Sequence, residues 1–93
     1  MKPSSQTTAY VVVIGEKPLA VATDLSVAQA AALTRQTDWA GADQWEYRWD
    51  EYLPGKVWRL MQRRKGEAGK GRRFSWTTYS VHTANFLAGG DES

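Results

Sequence analysis

A chain of 93 residues with no cysteine has no disulfide frame, no thiolate nucleophile and no Cys-ligated metal. Its length corresponds to one domain. Eleven aromatic residues, five of them Trp, supply enough apolar area for a modest core. The formal charge of +2 is too small by itself to imply a nucleic-acid partner. The longest apolar run near the start, Ala9 to Ile14, is too short for a signal-peptide core and far too short to span a membrane, so a soluble cytoplasmic protein is expected.

Residues 1–8 are polar and read as a loose tail, as do residues 89–93. Tyr10 to Ile14 is rich in β-branched residues and ends at Gly15, which predicts a strand. Gly15-Glu16-Lys17-Pro18 predicts a turn, and Leu19 to Thr23 a second strand. The near-continuous apolarity of Val11 to Ile14 suggests a strand covered on both faces. Ser26 with Gln29 forms a capping-box pattern. Val27, Ala30, Ala31 and Leu33 then recur at helical spacing, which predicts a helix from Ser26 to Gln36. Thr37 to Asp43 reads as a connection with Gly41 as its flexible point.

Gln44 to Tyr52 alternates: Trp45, Tyr47 and Trp49 fall on one side, and Glu46, Arg48 and Asp50 on the other. Leu53-Pro54-Gly55-Lys56 has Pro and Gly in the order of a type II turn. If Tyr52 faces Val57, then Trp49 faces Leu60, Asp50 faces Arg59 and Glu46 faces Arg63. One register thus sets aromatic against aliphatic and acid against base. Gly66 to Gly71, with three Gly in six residues, predicts a flexible hairpin tip. Arg72 to Thr78 reads as the next strand, with Phe74 and Trp76 toward the core. Ser80 reads as an N-cap for a second helix, Ser80 to Ala88, carrying Val81, Ala84 and Leu87 on one stripe. Thr23, Ser26, Val27, Ala30 and Leu33 recur at the same mutual spacing as Thr77, Ser80, Val81, Ala84 and Leu87, a faint internal repeat. The expected fold is α+β, in the order β-β-α-β-β-β-α, with an antiparallel sheet of about five strands and two helices.

Charge is unevenly placed. Residues 63–73 hold six cations, Arg63, Arg64, Lys65, Lys70, Arg72 and Arg73, and one acid, Glu67; the other 82 residues hold six cations and nine acids. A basic hairpin arm can meet the phosphates of DNA or RNA, each contact releasing counterions. Charged tips also serve solubility and edge protection. Trp45, Tyr47, Trp49, Trp58 and Trp76 are candidates for stacking on single strands, although the core needs most of them. Catalysis has little to draw on. His82 is the only His, and Ser80 lies too near it in sequence to be expected as its nucleophile partner. A site for RNA cleavage would need His82 as acid, Glu46 or Glu51 as base and an arginine on the phosphate. No metal-ligand spacing and no cofactor-binding pattern is present.

Leu25 to Leu33 resembles the first helix of excisionase-type helix-turn-helix domains, but Thr34 to Trp45 offers no recognition helix. Trp45 to Ala88 resembles in outline the three-strand-plus-helix domains that bind the arm sites of integrases, which implies a sheet entering the major groove. Glu46 and Asp50 depart from that pattern, since they would face phosphates. Neither resemblance assigns a family. The expected function is a non-catalytic binding protein whose Arg63–Arg73 arm contacts nucleic acid or another polyanion. The alternative is a protein-interaction module, a small inhibitor or accessory subunit, using aromatics near Trp39 and Trp45 or a free strand edge for a partner or for itself. A small ribonuclease-like enzyme comes third.

Overall fold

The computed structural model describes residues 6–87. In chain order it holds β1 (Gln6–Ile14), β2 (Lys17–Ala22), α1 (Leu25–Ala40), β3 (Trp45–Leu53), β4 (Val57–Arg64), a 3-10 turn (Gly66–Gly69) and β5 (Ser75–Leu87). The five strands form one antiparallel sheet in the order β2-β1-β5-β4-β3. No helix among the described residues is long and apolar enough to cross a membrane.

The architecture is α+β with one helix, not two. Ser80 to Leu87 is strand, paired along its length with β1 from Gln6↔Leu87 to Val13↔Ser80; Ala88 lies outside the described residues. Local capping signals at Ser80 lose to a tertiary demand. One edge of β1 is taken by β2, and its other edge needs a partner for its amides and carbonyls. The internal repeat fails with the helix, because its first set folds as helix and its second as strand. The three-strand-plus-helix outline fails for the same reason. β1 also starts at Gln6, inside the stretch expected to be a loose tail.

α1 begins one residue before its expected start and runs four beyond its expected end, stopping only at Gly41, whose φ of 88° suits glycine. Asp24 occupies the N-cap position without a side-chain capping bond, so the Ser26–Gln29 box is not used. The buried stripe is Ala28, Ala32 and Gln36, at four-residue spacing. Val27 is 55% exposed. Two alanines with no exposed surface let the helix lie close on the sheet; a Val there would hold it off. The core is Val12, Leu60, Tyr79 and Val81 from the sheet with these alanines, flanked by Tyr10, Tyr47, Trp49 and Trp58.

The β3–β4 register is the expected one: Trp49↔Leu60, Asp50↔Arg59 and Glu46↔Arg63. It departs at the turn, where Leu53 rather than Tyr52 faces Val57 and Tyr52 becomes the extra residue of a bulge. Gly55 has the positive φ, 70°, that a type II turn needs at its third position. A further bulge sits opposite Leu60, where β5 spends Thr77, Thr78 and Tyr79. Thr78 holds φ at 79° there.

All of α1 packs on one face of the sheet. The other face carries Glu46, Arg48 and Asp50 on β3, Arg59, Met61 and Arg63 on β4, and Phe74 and Trp76 ahead of Ser80 and His82 on the β5 side. Phe74 and Trp76 thus lie away from the core, contrary to expectation. Trp76 is level with Met61 and is 37% exposed. Tyr79 and Val81, at odd positions, fill the core side. Val11 and Val13 are only half-buried, so β1 is not covered on both faces.

Candidate anion-binding groove

The basic arm is a folded element. Gly66 starts the tip at φ 64°. The turn closes through Lys70 N–H to the Glu67 carbonyl (3.2 Å) and Arg72 N–H to the Gly69 carbonyl (3.0 Å). Gly69 is buried against the end of β4: an added Cβ would lie 1.6 Å from the Arg64 carbonyl oxygen. The expected flexible loop is therefore a hydrogen-bonded turn docked on its own strand. Lys65 N–H donates to the Gln44 carbonyl (3.0 Å), which ties the exit of β4 to the entry of β3.

This folding brings together arginines on either side of the tip. Arg63, Arg64, Arg72 and Arg73, with Trp45 and Ser75, line one open groove of about 470 Å³. No carboxylate lines it. Lys65 and Lys70 are exposed on the tip and lie outside the lining. Two of the arginines are held in place. Arg63 pairs with Glu46 through Nε (3.0 Å), donates from Nη1 to the Arg72 carbonyl (3.2 Å), and sets its guanidinium 4.5 Å from the centre of the Phe74 ring. Arg64 donates to Gln44 Oε1 (2.8 Å) and lies over the Trp45 ring at 4.6 Å. Among the described residues, no hydrogen bond or ion pair engages the guanidinium groups of Arg72 and Arg73. The groove thus sets two fixed and two unengaged guanidinium groups around an indole and a hydroxyl, an arrangement of the kind that pairs with oxyanions.

Trp45 was expected as a stacking candidate, and it is the one of the five that lines the groove. Tyr47, Trp49 and Trp58 pack against the core. The Tyr47 hydroxyl donates to the Gly41 carbonyl (2.9 Å), anchoring the end of α1 to β3. Burial pushes this phenol above its ordinary pKa, with a bond to Gln36 acting the other way. Sequence reasoning missed Ser75 and Phe74. The signal was available: both follow Arg73 within two residues, and Phe74 alternates with Trp76.

The residues considered for catalysis are not assembled into the expected site. Ser80 and His82 do meet, contrary to the sequence expectation. Two apart on a strand, they share a face, with Oγ 3.1 Å from Nε2. The serine is only 2% exposed, so its hydroxyl is not presented for attack. Glu46 is engaged with Arg63, and Glu51 accepts the Gly55 amide (2.7 Å). His82 is level with Val57, and Arg63 stands six residues further along β4. That is about 20 Å from the histidine to the groove. Among the described residues no three His, Asp or Glu side chains cluster as metal ligands. No family model, no curated protein and no solved structure matches this chain.

Proposed function

We propose that the protein is a non-catalytic nucleic-acid-binding module whose Arg63–Arg73 arm takes the phosphate backbone. The observation that carries this reading is the groove: four arginines, one indole and one hydroxyl around about 470 Å³, with no acid in the lining. Arg72 and Arg73 are the primary phosphate contacts, because their donors are unspent. Arg63 and Arg64 add field and one donor edge each. Phosphate contacts position a ligand without reading bases, so binding is weak and little dependent on sequence.

The test is a titration of labelled duplex DNA, single-stranded DNA and RNA across a range of salt. Four phosphate contacts give a slope of log K against log salt of about −3 to −4 on duplex and about −3 on single strands. Changing Arg72 and Arg73 together to Ser flattens the slope by about one to two units, while stability stays within about 0.5 kcal/mol of the parent. A double variant that binds as well as the parent overturns the reading. A second reading rests on Trp39, which is 85% exposed at the end of α1. A protein-interaction module using that indole would hold its partner at high salt and bind no nucleic acid near 0.15 M salt.

A further inference from the structure

We infer that the helix-free face of the sheet is a stacking platform, and that the nucleic acid this protein takes is single-stranded. The inference rests on the phosphate-binding reading of the groove and adds where the bases go. Beside the groove, three arginines and three aromatic rings interleave across β3, β4 and the β5 side. Arg63 and Arg48 lie over Phe74 at 4.5 and 4.2 Å. Arg59 lies 3.7 Å from the centre of the Tyr52 ring and 4.4 Å from that of Trp76. The row meets the groove at Arg63, the one residue they share; Trp45, Arg64 and Ser75 of the groove stand on the helix side of the sheet. Such rings accept bases of any sequence, because every base has a π-face, and guanidinium planes accept them too.

Three further observations favour this occupant. First, two of the three rings remain reachable: Tyr52 is 53% and Trp76 37% exposed, while Phe74 is half-buried. Second, they are pre-set. Trp76 Nε1 donates to the Tyr79 carbonyl (2.9 Å), and Arg59 is held between the two rings, so little rotamer freedom remains to be lost on binding. Third, the acids on this face are answered. Glu46 is paired with Arg63 at 3.0 Å and Asp50 with Arg48 at 2.9 Å. Arg59 has no carboxylate partner among the described residues, which leaves the face with a cationic excess. From Arg63 to Arg59 the row runs about 13 Å along β4. A duplex keeps its base faces stacked inside and could use only the groove, whereas a single strand can use both.

The test compares an oligothymidylate of about ten nucleotides with a duplex of equal length, using the full chain. The parent binds the single strand more tightly. Tyr52→Ala and Trp76→Ala each weaken single-strand binding by about tenfold, leaving duplex binding and the salt slope unchanged. Trp76→Phe, which keeps a ring, retains most of the affinity. Tyr52 sits in a bulge near the turn, so Tyr52→Ala serves even where Trp76→Ala fails to fold. Alanine variants that bind the single strand as the parent does overturn the inference, as does equal weakening on both ligands. A dimer that Tyr52→Ala converts to monomer also overturns it, because a second copy would then cover this face. Loss of binding on changing Arg72 and Arg73, with Tyr52→Ala neutral, sinks the platform and spares the phosphate reading. No binding to any nucleic acid sinks both.

Discussion

Tyr47 shows how one side chain ties two elements together. Its hydroxyl reaches the carbonyl of Gly41, the residue that ends α1, while its ring packs beside the core. Burial raises the pKa of the phenol in the folded state. A group with a raised folded pKa holds its proton more tightly when folded. Its contribution is therefore complete below the unfolded value, about 10, and is lost as pH rises through the folded value. Tyr47→Phe should cost about 0.5–1.5 kcal/mol near neutrality for the lost bond. It should also make the alkaline decline of stability shallower than in the parent, as followed by chemical denaturation from neutral pH upward. An unchanged alkaline slope would remove Tyr47 as its source. Thr78 is a residue of another kind: a β-branched side chain at φ 79°, a conformation such residues rarely adopt. Its carbonyl accepts the Gly15 amide (2.9 Å), so the bulge that strains it also fastens the β1–β2 turn to β5.

Among the elements, the tip decides most about the site. The groove exists because the chain turns back at Gly69 closely enough to set Arg72 and Arg73 beside Arg63 and Arg64. With the Arg64 carbonyl 1.6 Å from where a Cβ would sit, backbone must shift to admit any side chain. Gly69→Ala should therefore destabilise by about 1–3 kcal/mol, as overpacking does. It should also weaken nucleic-acid binding without removing a charge. Thermal denaturation and the salt titration check the two effects together. Full affinity in a destabilised Gly69→Ala variant would show that the arginines act as a loose charge cloud and that the turn does not matter. The β3–β4 hairpin is the opposite case. Its register follows from residues directly across from each other, and the bulge at Tyr52 alters only its end.

At the scale of the molecule, one helix on a five-stranded sheet makes a thin slab, with extents of 56 × 24 × 20 Å. The radius of gyration is 16.0 Å, where a compact chain of this length has about 12 Å. Small-angle scattering from dilute protein should give a value near 16 Å for the free chain. A much larger value would show copies associating through the open face or the edge strands β2 and β3. The slab is also polar in charge. The arm, with six cations and one acid, is strongly net positive at one end of the β3–β4 ribbon, against a net-negative remainder of six cations and nine acids. On the proposed reading, this asymmetry should raise the on-rate for a polyanion at low salt, and that gain should fall as salt rises.

Local chemistry was enough to place a helix at α1, though not its buried stripe or its end, to set the β3–β4 register up to its turn, and to show the concentration of cations between Arg63 and Arg73. Each depends on neighbours a few residues apart or directly opposite across a short turn. Tertiary structure decided the rest. Ser80 to Leu87 has the residues of a capped helix, yet it is strand, because β1, some 70 residues earlier in the chain, needs its backbone groups paired. Phe74 and Trp76 look like core residues, yet they lie outside, because Tyr79 and Val81 on the same strand take the covered face. The tip looks loose from its glycines, yet one of them is the only residue that fits beneath the Arg64 carbonyl. Arg72 and Arg73 were legible as charges. That they share a groove with Trp45, 27 residues before Arg72, was not, because cross-strand pairing places residues by long-range hydrogen bonding and no local pattern encodes it.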